Sequence, residues 1–237
     1  MNRRRLAPLV ALALLVAPAS STSAPPAQGW GNLHGMSGLL LTPTAEVADD
    51  ASVRIGYTFM DKKWSYHFRG EASNELYYLS FGFLPRVELT VRASVLPGTR
   101  LSRFDDAPIV DRMGSVRLQL LRGGRWPGLA VGIDDIRGTR FYHSLYAVGT
   151  QGVELSSGTL DVRASLGFGS RELEARNYLL DGFFGGVELR LVRPLSIAID
   201  FDTEKWNSGA RLLLFRRVSV YLAWLDLESK IRKNRFI

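Results

Sequence analysis

The chain has 237 residues, 46% of them hydrophobic and 22% charged, which suits one all-β domain with a large core or a closed barrel and excludes a disordered chain. Cysteine is absent, so disulfides, thiolate metal sites, a cysteine nucleophile and an acylated cysteine are excluded as well. The formal charge of +7 falls to +4 once the arginines at 3, 4 and 5 are set aside, and with it goes most of the support for nucleic acid as a partner.

Those arginines open the first element. Arg3 to Arg5 precede an apolar run from Leu6 to Ala17, and small residues follow through Ala24. This order predicts a secretory signal peptide over residues 1–24, cleaved near 19–27 at Ala17-Pro18-Ala19 or Thr22-Ser23-Ala24. The apolar run is shorter than the roughly 20 residues of a spanning helix, so a retained anchor is the poorer reading. The remainder, 25–237, reads as a single exported domain.

From there one alternating segment follows another. Ala51 to Met60 sets Val53, Ile55, Tyr57 and Phe59 against Arg54 and Thr58, and Arg86 to Val95 sets Val87, Leu89 and Val91 against Glu88 and Arg92. The same period of two recurs over Arg112–Leu121, Leu129–Asp134, Thr159–Phe168, Val187–Leu191, Leu195–Asp202, Ala210–Leu214 and Val218–Trp224. Glu75–Phe83 and Tyr142–Thr150 are aromatic and strand-like with weaker alternation. Tight links at Leu84-Pro85, Ser156–Gly158, Arg193-Pro194 and Arg216-Arg217 take turns with longer polar spans at Asp61–Asn74, Leu96–Asp111, Gly169–Gly182 and Glu204–Ser208, as in an antiparallel meander.

Export, strand length, loop asymmetry and aromatic girdles together decide the orientation of these strands; the charges are the sharper clue but do not settle it alone, since a soluble sandwich could wet the same face. Arg54, Glu88, Arg92, Arg117, Asp134, Asp161, Arg163, Glu188, Arg190, Asp200, Asp202 and Arg211 fall on the non-apolar parity, several in mid-strand. Aromatic residues gather near strand ends: Tyr57, Phe59, Trp64 and Tyr66, then Phe183 and Phe184, then Tyr221 and Trp224. Strands of nine to eleven residues span a slab of about 25 Å, and such girdles mark its two surfaces. The expected fold is an antiparallel up-and-down transmembrane β-barrel of about 12 strands, within 10–14, with lipid outside and a network of paired charges in the lumen. It would sit in the outer membrane of a Gram-negative bacterium, in contact with outer-membrane lipid. A soluble β-sandwich would favour shorter strands of about six residues.

Three stretches carry a resemblance: GLLLTPTAEV (Gly38 to Val47), LAVGIDDIRGT (Leu129 to Thr139) and SIAIDFDT (Ser196 to Thr203). They are similar to the YjbH-type family of exopolysaccharide-associated outer-membrane proteins, over roughly Gly38 to Leu227. The resemblance implies a β-barrel that takes part in export or assembly of exopolysaccharide or capsule, with polysaccharide and other export proteins as partners. The alternatives are a structural or glycan-binding barrel without transport, through loop residues such as Arg100, Arg103, Asp105 and Asp106, and a soluble periplasmic sugar-binding sandwich.

Catalytic chemistry is not expected. His143 and Ser144 are adjacent, so on a strand they face apart. Asp134-Asp135 near Arg137 face apart too and read as a strand end turning at Gly138, and His34 and His67 have no evident partner. No enzyme activity, metal site or cofactor is predicted. One feature strains the count: eleven clear strands lie between Ala51 and Leu225, with Gly38–Thr42 a possible twelfth, and twelve would leave the C-terminus on the long-loop side unless Lys230–Ile237 returns as a final strand; either the first segment sits inside as a plug or one strand is wrongly assigned. The last residues, KIRKNRFI (Lys230 to Ile237), alternate poorly, although Phe236 resembles the near-terminal aromatic of barrel assembly signals.

Overall fold

A computed structural model describes residues 30–63, 73–96, 109–138, 142–156, 160–170, 177–215 and 217–227. Among them the strands run β1 (Val53–Met60), β2 (Asn74–Gly82), β3 (Val87–Leu96), β4 (Ile109–Leu121), β5 (Gly128–Gly138), β6 (Tyr142–Ser156), β7 (Leu160–Ser170), β8 (Asn177–Tyr178), β9 (Gly182–Val192), β10 (Leu195–Phe201), β11 (Trp206–Leu214) and β12 (Val218–Trp224). Eleven of these form one antiparallel meander in chain order, and the two-residue β8 lies off this path, paired parallel with β6. No ladder joins β1 to β12, so the sheet is open at that seam.

All eleven strands expected from alternation are present. The segment Gly38–Thr42 is not a twelfth: its only sheet-like contact is an isolated bridge from Gly38 to Pro43, and it lies against the inner face of the sheet. The span Glu204–Ser208 is not a long loop either. Asp202 accepts from the amides of Glu204 and Lys205 (3.2 and 2.8 Å), which closes a short turn and lets β11 start at Trp206. Residues 1–29, most of the other long spans (with Trp64, Tyr66, His67, Arg100, Arg103, Asp105 and Asp106) and Lys230 to Ile237 lie outside the described residues.

The burial pattern answers which face is which. Along β3, Glu88, Thr90, Arg92 and Ser94 are buried, whereas Val91 is 57% exposed. The outward row continues through Val53, Ile55, Tyr57 and Phe59 on β1, Phe168, Phe183, Ile197 and Ile199, to Val218, Val220, Leu222 and Trp224 on β12. A soluble protein buries its apolar parity and wets the polar one; here the two are exchanged.

What covers the polar face is the stretch 30–48, buried along most of its length. Leu33 and Leu41 pack with Met60, Leu76 and Leu225, while Ala45 packs with Ala130, Tyr146, Val148, Leu180 and Phe184. One short segment thus touches strands from β1 to β12, which requires the sheet to curl around it. Inside this wrap three glycines face aromatic rings across a strand pair: Gly56 opposite Tyr78, Gly132 opposite Tyr146 and Gly167 opposite Phe184. Each ring lies over its glycine so closely that a Cβ there would collide with it. Such pairs let a curved sheet fill its inner side without displacing the segment above.

Candidate functional site

Segment 30–48 has little regular structure: the amides of Asn32, Leu33, Gly35, Gly38, Leu39 and Thr44 bond to carbonyls of the segment itself, and most of its other buried amides and carbonyls need partners from outside, since leaving them unpaired would be costly. The strands supply the partners. Asp200 Oδ2 accepts three consecutive amides, from Leu40 (3.1 Å), Leu41 (2.7 Å) and Thr42 (3.0 Å), and the Thr42 hydroxyl as well (3.2 Å). Glu88 accepts from the amides of Ser37 (2.7 Å) and Ala48 (2.8 Å). Arg117 donates to the carbonyls of Ser37 and Thr44, and Gln119 to that of Ala45 (2.8 Å). The hydroxyls of Thr58, Ser80 and Tyr221 reach the carbonyls of Leu33, Gly35 and Gly31. Within the segment, Asn32 Oδ1 accepts from the amides of His34 (2.9 Å) and Met36 (3.1 Å).

The interior charges also pair with one another. Arg163 bridges Glu46 of the segment (3.4 Å) and Glu188 of β9 (3.6 Å), and Glu188 holds Arg211 as well. Arg190 pairs with Asp161 at 2.8 Å, directly across β7 and β9. Arg211 lies over the Trp30 ring (4.2 Å to its centroid), a cation–π contact that fixes the start of the segment. Arg54 sits at 4.0 Å from Glu88 and donates to Gly35 O.

Of the twelve charged residues expected inside, Glu88, Arg92, Arg117, Asp134, Arg163, Glu188, Asp200 and Arg211 are buried, and Arg54, Asp161, Arg190 and Asp202 are half-buried. Asp202 belongs to the turn it caps, with Asn207 as a further donor (3.2 Å). Arg92 donates to Met113 Sδ, and Asp134 lies fully buried beside Arg92, Arg117 and Ser115. The pair Asp134-Asp135 is not a strand-end turn. It sits inside β5 as a bulge, three residues wide against Ser115 of β4, with Asp135 left-handed at φ 53°. The bulge is why both carboxylates are buried although they are neighbours.

His143 and Ser144 do occupy opposite parities of β6. Ser144 Oγ lies at hydrogen-bonding distance from the carbonyls of His143 (2.8 Å) and Leu180 (3.2 Å) and from the Leu180 amide (2.8 Å), and His143 Nδ1 lies 3.1 Å from Asp135 O. Both side chains are engaged with backbone. No group of three or more histidine, aspartate or glutamate residues is placed to hold a metal among the described residues. His34 is fully enclosed, and burial, reinforced by the nearby Arg92 guanidinium, pushes its imidazole well below the usual histidine value.

Sequence reasoning missed the uncharged partners Asn32, Gln119, Thr150 and Asn207, and weighed Ser144 only as a neighbour of His143. Their signal is faint, since a polar residue on the wet parity of a strand looks alike whether it meets water or a buried amide.

Residues 31–212 match the family model described as "Exopolysaccharide biosynthesis protein YbjH". The chain belongs to the YjbH family. It is 28% identical over 174 residues to the uncharacterized lipoprotein YjbH of Escherichia coli K12, a match covering 71% of this chain and 23% of that protein. The chain thus spans about a quarter of that relative's length. No solved structure matches. The YjbH match begins at Gly31, so it includes the buried segment together with the strands that hold it.

Proposed function

We propose that this chain is an outer-membrane β-barrel that takes part in export or assembly of exopolysaccharide, with lipid on its apolar face and segment 30–48 as an internal plug. The observation that carries the membrane part is the exchanged parity. Ile55 is 80% exposed, Phe183 68% and Leu222 60%, on strands spread across the sheet, while arginines and carboxylates of the same sheet are buried. An apolar surface of that extent calls for hydrocarbon, not water. Membership of the YjbH family supports the polysaccharide part.

The plug favours assembly or docking over free passage through this barrel as it stands. Polymer passage would require segment 30–48 to leave, breaking its bonds to Asp200, Glu88 and Arg117. Partner export proteins, a polysaccharide and a non-catalytic role are parts of the same proposal.

Two measurements test it. Fractionation should recover the mature chain with outer membranes and require detergent for its release; a folded, monodisperse chain in the periplasmic supernatant would rule the barrel out. Deletion should lower secreted polysaccharide while leaving outer-membrane integrity intact, and an unchanged yield would remove the polysaccharide role.

A further inference from the structure

Tight links join β2 to β3, β4 to β5, β9 to β10 and β11 to β12, all at one rim of the sheet. Each carries arginine: Arg86, then Arg122 and Arg125, then Arg193, then Arg217. All five are exposed, and none forms an ion pair among the described residues. Arg86 reaches only the Leu120 carbonyl, at 3.4 Å. The arginines inside the sheet behave otherwise, since Arg117, Arg163 and Arg211 are buried and bonded.

Beside the arginine, each link exposes a large apolar side chain: Leu84, Trp126 (74%), Val192 and Phe215 (89%). Three link positions are left-handed without being glycine: Leu84 (φ 63°), Arg86 (φ 85°) and Phe215 (φ 50°). Glycine would adopt these angles without strain, so the turns alone do not call for a leucine, an arginine or a phenyl ring there. Carboxylates are fewer at this rim. Asp49, Asp50 and Glu154 stand there, and Asp161 is taken by Arg190. At the opposite rim the described charges are mixed, with Lys62 and Lys63 beside Asp61 and Lys205 beside Glu204.

On the barrel reading, on which this inference rests, tight links lie on the periplasmic side, where the apolar rows end and acyl chains give way to headgroups. Arginine bonds phosphate through its paired N–H groups, while an apolar neighbour stays in the interface. Links from β2 round to β12 share this pairing. A leaflet surrounds a barrel on all sides, whereas a partner protein or soluble polymer would touch one sector. We propose that these arginines and their apolar neighbours form a collar that binds anionic phospholipid headgroups.

Tryptophan quenching by brominated lipids tests the collar. The full chain is folded into phosphatidylcholine vesicles carrying equal small shares of brominated phosphatidylcholine or brominated phosphatidylglycerol. The difference between wild type and Trp126→Phe isolates Trp126. The glycerol lipid should quench it more strongly, with up to about fivefold local enrichment per arginine, and salt should weaken the preference. Arg122→Gln with Arg125→Gln should abolish the preference. Lys62→Gln with Lys63→Gln, which removes the same charge at the other rim, should leave it. In the Trp126→Phe chain, Phe215→Trp moves the reporter to the β11–β12 link, where Arg217→Gln should act in the same way.

The collar is overturned by equal quenching from the two lipids, by no quenching of Trp126, or by a preference that survives the arginine changes. A preference lowered as much by the lysine changes, or absent at position 215, overturns it too. Trp224, on the outward row of β12, separates the two readings. Quenched by both lipids while Trp126 shows no preference, it keeps the barrel and sinks the collar; unquenched by either, it sinks both.

Discussion

Glu88 and Arg117 stand directly opposite each other on β3 and β4, yet their closest approach is 4.0 Å and each spends its hydrogen bonds on the same segment. Glu88 takes the amides of Ser37 and Ala48, and Arg117 gives to the carbonyls of Ser37 and Thr44. The two charges neutralise each other across the strand pair while holding opposite polarities of one backbone. Removing either strips the other of a counter-charge while Arg54 (for Glu88) or Asp134 (for Arg117) stays nearby, at a cost approaching about 3–5 kcal/mol. Glu88→Ala and Arg117→Ala should each lower the unfolding free energy in micelles by that order, and the double variant by less than the sum. Additive losses would show that the pair is not coupled.

Asp200 is a similar anchor at the other side of the sheet. Its Oδ2 gathers three amides of the segment, and charge-assisted bonds of this type contribute about 1.5–3 kcal/mol each before non-additivity. Asp200→Asn keeps an acceptor oxygen without the charge, and Asp200→Ala keeps neither. Amide hydrogen exchange at Leu40, Leu41 and Thr42 should therefore rise in the order wild type, Asn, Ala, with other strands little changed. Equal protection in all three would mean that the contacts do not hold the segment.

The legible part of this fold was its pleat. Alternation located eleven strands because the outward and enclosed rows differ sharply in polarity, as in RVELTVRASV. Segment 30–48 was harder: GLLLTPTA is apolar without period, and only the bulky enclosure around it explains why such a run needs Asp200, Glu88 and Arg117. The bulge at Asp134-Asp135 was also unreadable, because a shift in pairing against Ser115 depends on β4 and leaves no mark in β5. Which charges would meet, Arg163 with both Glu46 and Glu188 for instance, depends on register and on the plug together.

His34 sets a pH dependence of known sign. Enclosed beside Arg92, it stays neutral below its ordinary value of 6.5, whereas in the released segment it titrates normally. Docking is therefore unaffected above pH 6.5 and weakens as the pH falls below it, by up to about 1.4 kcal/mol per unit until the enclosed imidazole itself takes a proton. Exchange of segment amides, corrected for intrinsic rate, should increase between pH 7 and pH 5. His34→Asn should flatten that increase; an identical slope in the variant would assign the effect to other groups.

The orientation of the sheet predicts opposite outcomes for the same chemistry on two sides. Val91 points outward in the middle of β3, and on the barrel reading Val91→Arg would place a guanidinium in hydrocarbon at a cost of about 2–4 kcal/mol. In water the same change would be neutral or would help solubility. Folding yield into lipid vesicles should fall for Val91→Arg relative to wild type. Unchanged yield would indicate that this face does not meet acyl chains.

The glycine–ring pairs give a sharper test of the enclosed side. A methyl group at Gly132 or Gly167 would meet the Tyr146 or Phe184 ring, and both rings belong to the cluster that packs Ala45 of the segment. Neither ring can retreat without displacing the plug, so Gly132→Ala and Gly167→Ala should each cost about 1–3 kcal/mol through overpacking. Gly124, in the β4–β5 connection, has nothing within 4 Å of its would-be Cβ, and Gly124→Ala should stay within about 0.5 kcal/mol of wild type. Denaturant unfolding in micelles measures all three. The segment adds a second readout: the Ala45 amide donates to Thr150 Oγ1 (2.8 Å) in the same neighbourhood, so its exchange protection should fall in the two overpacked variants and persist in the control. Loss of stability with that protection intact would place the strain within the sheet alone and separate ring packing from the hold on the plug.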